Sequence, residues 1–353
     1  MRRLWALCAA VLSAGTVMTT GPASAEPARP FDLQAHRGGL GIVVENTLPA
    51  FANALELGVS TLELDVQITA DGRAVVTHDR DPNPAKCTDT APAFPGDPKF
   101  PYVPGNTFIR DLTLAQVRTI DCGSKQLPGH PGQRTVEGAR MPLLSEVFEL
   151  VRRYRAGGVM LNIETKVEAA APEQTAPREQ FVQVVAEEIR RAGIGNQVTI
   201  QSFDWGALMR MREVAPELPL VALTSGQQNL QVGEPGASPW LGGIDIDEHS
   251  GTPQDKFVSA AASFGAAAVS PVHGTPQDAT MNDPDYEPFT TAELVRSAHR
   301  HGLRVIPWTV DDPATMTSLI DLGVDGIITN RPDLLRNVLS DNGYPLPPPY
   351  PRP

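Results

Sequence analysis

Between Leu33 and Asp79 the chain concentrates the side chains that could do chemistry. The stretch reads Leu33-Gln34-Ala35-His36-Arg37-Gly38-Gly39, then Glu45-Asn46-Thr47, then Glu63-Leu64-Asp65-Val66, then Val75-Val76-Thr77-His78-Asp79. Carboxylates can hold a divalent cation, an arginine can grip an anion, and two histidines can exchange protons. Phosphate-ester chemistry needs that combination. Each residue alone has a plainer reading, as a surface acid on an amphipathic strand or an ordinary histidine. Gathered where successive elements end, they mark a site, because a motif counts only in its structural context.

The elements that must position them are readable. Phe31 to Ala35 reads as a short strand that His36-Arg37-Gly38-Gly39 breaks. Thr47 can cap a helix with Pro49 in its first turn, and Leu48, Phe51, Ala52 and Leu55 give that helix one apolar face before Gly58 ends it. Leu62 to Ile68 reads as the second strand. Glu63 and Asp65 alternate with Leu62, Leu64 and Val66, so both carboxylates point to one face. Asp71-Gly72 is a hairpin signal, and the return through Ala74 to Thr77 brings His78 back toward those acids.

His-Arg-Gly, Glu-Asn-Thr, Glu-Leu-Asp-Val and a following His-Asp together resemble the glycerophosphodiester phosphodiesterase family. Farther on, Val159 to Lys166 reads as a strand with Asn162, Glu164 and Lys166 on one face, similar to the family's Asn-Ile-Glu-x-Lys strand. The resemblance implies one divalent cation, Ca²⁺ or Mg²⁺, held by Glu63, Asp65 and Glu164. It implies His36 and His78 as an acid–base pair, and Arg37 and Lys166 as phosphate-binding cations. Glu45 is left with two roles, cation ligand or partner of Arg37. Trp308, in Trp308-Thr309-Val310-Asp311, reads as a wall of the substrate pocket.

Strand and helix then alternate. Strands at 197–201, 218–223, 266–270, 303–307 and 326–329 are separated by helices at 178–192, 205–214, 256–264, 291–300 and 314–322. Leaving the Val75 strand out as a hairpin arm, eight parallel strands result, and the fold expected is an α/β (β/α)8 TIM barrel. Its site lies where the strands end.

Residues 80–140 depart from the alternation. They are rich in Pro and Gly, with helical character only around Thr113 to Thr119, and resemble the family's variable cap. Residues 1–25 read as a secretory signal peptide, with Arg2 and Arg3, an apolar Leu4 to Val17 and Ala23-Ser24-Ala25, so a secreted protein is expected. Cys87 and Cys122 then remain, an even count in an exported chain, and a disulfide between them is expected. The barrel domain spans 26–344, and the Pro-rich end, 345–353, reads as extended and disordered. Gly-Thr-Pro-Gln-Asp occurs at Gly251 and again at Gly274, each read as a capped helix start.

The 29 Lys and Arg against 41 Asp and Glu give a net charge of −12, and −14 without the two arginines of the leader. That balance argues against nucleic acid as a partner. No apolar run after the leader approaches the ~20 residues of a membrane span, so no stable membrane anchor is expected. The expectation is a metal-dependent enzyme that converts a small glycerophosphodiester to glycerol 3-phosphate and an alcohol. The alternatives are a phospholipase C- or D-like phosphodiesterase on the same barrel, and a non-catalytic barrel binding protein.

Overall fold

The strand Thr61–Ile68 is buried along its whole length. Its alternation gives it two different buried faces. Leu62, Leu64, Val66 and Ile68 enter the main apolar core, together with Phe51 and Leu55 of the helix Leu48–Leu57. Thr61, Glu63, Asp65 and Gln67 face the other way. A strand with no solvated side must sit in a parallel sheet covered by helices.

The computed structural model describes residues 30–102 and 107–353, so the signal-peptide reading lies outside the described residues. Eight parallel strands line up in one sheet: Asp32–Ala35, Thr61–Ile68, Met160–Thr165, Val198–Ser202, Leu220–Thr224, Ala268–Pro271, Arg304–Val305 and Gly326–Thr329. The first pairs with the last in register, Asp32 opposite Gly326 and Ala35 opposite Thr329. The remaining seam closes through hydrogen bonds from Asp325 N to Val305 O (2.9 Å) and from Ile328 N to Pro307 O (3.0 Å). The sheet is a nearly closed (β/α)8 barrel, and Ala74–Val76 pairs antiparallel with the second strand as the expected hairpin arm.

The interior of the barrel is divided. On one side Asn162 Nδ2 donates to Gln34 Oε1 (2.9 Å) and Gln201 Oε1 (2.7 Å), and Gln201 Nε2 donates to Glu63 Oε1 (2.8 Å). On the other, Val221, Ala268, Ile306 and Ile328 pack together against Trp308. Buried amides tolerate this position because each finds a partner.

Two expectations need correction. The second Gly-Thr-Pro-Gln-Asp starts no helix: Gly274 and Thr275 pair antiparallel with Pro288 and Glu287. The first does, with Thr252 capping Pro253–Ser263. The 345–353 tail is extended but not loose. Tyr350 N donates to Leu55 O (2.9 Å), its ring packs on the core, and Arg352 pairs with Glu56 at 2.8 Å. The 80–140 insertion is ordered, as a segment with a cysteine at each end of most of it is expected to be. Cys87, Tyr102, Ile109, Leu112, Val117, Ile120 and Met141 form a small core with Val75 of the hairpin. Thr113 and Gln116 form a capping box on the short helix Leu114–Val117, and Thr88–Asp89 pairs with Ile120–Asp121.

Cys87 and Cys122 form the expected disulfide across that small core, 35 residues apart. Closing a loop of this length is worth about 3–4 kcal/mol in the chain-entropy account. The barrel core is separate from this cluster, so the stabilisation falls on the insertion. Reduction is expected to expose 80–140 to proteolysis before the barrel's melting temperature falls. Limited digestion followed by peptide mapping checks this, and first cuts within the barrel helices would refute it.

Candidate active site

The first strand ends in a turn, His36–Gly38, that packs against the helix Leu48–Leu57. Gly38 has φ +83°, and a Cβ there would lie 2.9 Å from that of Ala50, so the turn can approach the helix only with glycine. Arg37 takes a left-handed conformation (φ 53°), and its backbone N–H donates to Glu63 Oε2 at 2.7 Å. The turn is therefore tied directly to the second strand's acid.

Glu45-Asn46-Thr47 divides three tasks. Glu45 Oε1 accepts from Arg37 (3.2 Å) and from Lys86 (2.9 Å), while its Oε2 is buried without a partner. Asn46 Nδ2 donates to Asp65 Oδ2 at 2.8 Å. Thr47 accepts from Ala50 N (3.2 Å) and caps the helix, an interaction worth about 1 kcal/mol.

Glu63, Asp65 and Glu164 meet at the strand ends. Asp65 stands opposite Glu164 in the ladder, and one carboxylate oxygen of each of the three acids lies within 4.8 Å of the others. All three are buried. Lys166 Nζ is 2.8 Å from Glu164 and 3.8 Å from Asp65 Oδ1, an oxygen that is buried with no hydrogen-bond partner. A hard cation suits such an oxygen set, and the bare Asp65 Oδ1 is a position one would satisfy. Glu45 lies outside this triad, beside Arg37.

Burial, reinforced by Asp65 and Glu164, pushes the Glu63 carboxyl well above its ordinary range. Burial also lifts Glu164 to about 7 in spite of Lys166. Asp65 resists its burial and is held low by His78, Arg37 and Lys166. Burial and then Arg37 lower His36 to about 3, and burial with Arg37 and Lys166 lowers His78 to about 4, so both rings are neutral at neutral pH.

His36, Arg37, Glu63, His78, Glu164, Lys166 and Trp308 surround one inner recess of about 60 Å³. Its wall shares His78, Glu164, Lys166 and Phe203 with an outer groove of about 510 Å³. Trp308 meets Phe203 edge-on at 5.3 Å, and its indole N–H donates to Ser270 O (3.0 Å). The insertion reaches the groove through Arg80, Asp81, Asn83 and Pro84. Of the other residues singled out in the sequence, Asp65 stands beside Glu164 in the triad, Glu45 pairs with Arg37, and the disulfide cysteines lie with Glu45 and Lys86 around a separate small pocket.

Further residues hold the site together. His78 Nδ1 meets Asp79 Oδ1 at 2.8 Å, and Lys86 spans from Glu45 to Asp79 Oδ2 (3.0 Å). Gln201 orients Glu63, and Asn330 meets His36. Asn330 follows the last strand, 294 positions from its partner, so only the closed barrel reveals the pairing.

A parallel barrel with a buried acid triad, two neutral histidines and a basic clamp at its strand ends defines a class of barrel phosphodiesterases. Comparison with known proteins supplies the family. The profile of the glycerophosphoryl diester phosphodiesterase family matches residues 36–334. A glycerophosphodiester phosphodiesterase of Caldanaerobacter subterraneus subsp. tengcongensis is 28% identical over 88% of this chain and 98% of its own. One from Bacillus subtilis is 28% identical over 86% of this chain and 85% of its own. A solved structure from Silicibacter pomeroyi carrying the same family designation superposes with a TM-score of 0.70 at 30% identity, covering 90% of this chain and 96% of that one. The chain belongs to the glycerophosphoryl diester phosphodiesterase family and is a phosphoric diester hydrolase.

The crowded acids set a proton linkage. A carboxyl raised in the folded state adds stability that is complete below its ordinary value of 4.5 and lost as pH rises through about 7, as for Glu164. A cation must displace those protons. Ca²⁺ affinity is therefore expected to rise with pH, by up to about tenfold per unit for each proton displaced, with the Glu164 contribution levelling off above about pH 7. Calorimetric titration across that range checks the slope, and an affinity independent of pH would refute the linkage.

Proposed function

We propose that this chain hydrolyses glycerophosphodiesters to sn-glycerol 3-phosphate and an alcohol. The observation that supports this best is one recess walled by both histidines, by Glu63 and Glu164 of the acid triad, and by two fixed cations. Glu63, Asp65 and Glu164 would hold one divalent cation, Ca²⁺ or Mg²⁺. When bound there, it supplies positive charge to the phosphoryl oxygens. Arg37 clamps the phosphate as a planar fork, and Glu45 sets the orientation of that fork. Lys166 adds a second positive charge at the same wall.

The partners of the two histidines separate their roles. His36 faces a neutral amide, Asn330, whereas His78 faces a carboxylate, Asp79. A carboxylate stabilises imidazolium and an amide does so less. His36, neutral, is accordingly the proton acceptor from the attacking hydroxyl, and His78 the donor to the leaving alcohol once it has taken up a proton beside Asp79 as the anionic phosphate enters the recess. Among the described residues, no serine, cysteine or aspartate lines the recess as a protein nucleophile. The substrate's own glycerol 2-hydroxyl can attack phosphorus. That gives a cyclic phosphate, which water opens with the histidines exchanging roles. Intramolecular attack of this kind gains from a high effective molarity.

Residues 1–25 would direct export, and the Cys87–Cys122 disulfide supports an oxidising destination. A mature N-terminus at Glu26 in the culture medium would establish it.

Three measurements test the reading. With glycerophosphocholine, glycerol 3-phosphate should appear, should vanish with a chelator, and should return with Ca²⁺ or Mg²⁺. Release of phosphocholine instead would mark the phospholipase-C-like alternative, and full activity in chelator would sink the cation. His36→Ala and His78→Ala should each lower turnover by about 10²–10⁴-fold. An analogue lacking the glycerol 2-hydroxyl should be cleaved far more slowly than the parent; equal rates would mean direct attack by water.

A further inference from the structure

We infer that Asn330 and Asp311 are positioning residues that lock His36 in the one tautomer its reaction needs. The inference rests on the reading of His36 as proton acceptor.

His36 Nδ1 and Asn330 Oδ1 are 2.6 Å apart. A neutral imidazole carries one N–H and one lone pair, and its hydrogen-bond partner decides which nitrogen has which. An asparagine can offer either its oxygen or its NH₂, so Asn330 alone decides nothing. Asp311 breaks the tie. Its Oδ2 accepts from Asn330 Nδ2 at 2.8 Å. Its Oδ1 accepts from the Asn330 backbone N–H at 2.8 Å and from Thr329 Oγ1 at 3.0 Å. A carboxylate has no proton to give, so the amide nitrogen must face Asp311 and the amide oxygen must face His36. His36 then donates from Nδ1, and its lone pair stands on Nε2. Nε2 is the nitrogen turned toward the acids, 4.0 Å from Glu63 Oε2.

The chain holds Asp311 firmly. On one side Val310 N donates to Ile328 O (3.1 Å), across the seam that closes the barrel. On the other, Asp312 caps the helix Pro313–Asp321. The seam that completes the barrel therefore also fixes the direction of one proton. The alternative tautomer would put a hydrogen on Nε2, where a base needs a lone pair. The side chains of Asn330 and Asp311 need not touch substrate to have this effect.

Asp311→Asn tests the inference because it alters one atom, two residues removed from the chemistry. The introduced amide must keep its oxygen toward the Asn330 backbone N–H. Its NH₂ then faces Asn330 Nδ2, which drives the Asn330 side chain to flip and offer His36 a donor. In the cation-loaded protein, ¹⁵N resonances of His36 should show Nδ1 protonated in the wild type and Nε2 protonated in Asp311→Asn. Turnover of glycerophosphocholine should fall about 10–100-fold with KM little changed. Asn330→Asp alone sets two carboxylates together and should also be slow. The double variant Asn330→Asp/Asp311→Asn restores an acceptor toward His36 and a donor behind it, and should recover most of the turnover and the wild-type tautomer. The inference is overturned by an Nε2-protonated His36 in the wild type, a reading that needs no variant to fold. It is equally overturned if Asp311→Asn keeps wild-type tautomer and turnover, or if the folded double variant is no faster than the single ones. Full activity in His36→Ala would instead remove the proton-acceptor reading and leave the tautomer measurement standing.

Discussion

Three carboxylates buried within a few ångströms of one another are the constraint on which the rest of this site depends. Strand alternation forces Glu63 and Asp65 onto one face, and the ladder sets Glu164 beside Asp65. Charges so placed repel strongly because little water screens them. The surroundings answer that repulsion at each of the three acids. Arg37 gives Glu63 a backbone N–H, Gln201 gives it an amide, Asn46 gives Asp65 another, and Lys166 stands beside Glu164. The sharp turn at Gly38, the cap at Thr47 and the polar column through the barrel all serve to bring those donors to the acids.

The divided interior follows from the same need. A barrel filled throughout with branched apolar side chains could not present donors to Glu63 from below. Here the amides of Gln34, Asn162 and Gln201 form a connected set, and apolar residues occupy the facing side behind Trp308. A connected set of this sort fixes geometry as well as satisfying polar groups, because each amide's orientation depends on its neighbour's.

Much of this could be read in the chain itself, wherever the signal was local. Glu63 and Asp65 lie two residues apart on a strand whose periodicity is plain, and Thr47 with Pro49 marks a helix start by chemistry alone. Eight parallel strands followed from repeated apolar runs. Long-range pairing could not be read that way. Nothing near Asn330 and Asp311 in the chain says they meet His36. Nothing in the Pro-rich segment around Lys86 says that it meets Glu45 and Asp79. The tail misled for a physical reason: Pro-rich composition speaks for an extended backbone, and an extended backbone still docks when a tyrosine and an arginine find Leu55 and Glu56. The second Gly-Thr-Pro-Gln-Asp shows that a capping pattern yields to its tertiary setting.

Lys86 bears on how such barrels can be recombined. One ammonium touches both the carboxylate behind Arg37 and the carboxylate behind His78, and it is next in sequence to the disulfide that anchors the insertion. The insertion is thus a separable module by packing but not by charge. Grafting a different loop onto this barrel would change the shape of the entrance. It would also withdraw a positive charge that both halves of the site share, so the graft would alter the electrostatic balance at the strand ends even if every barrel residue stayed in place.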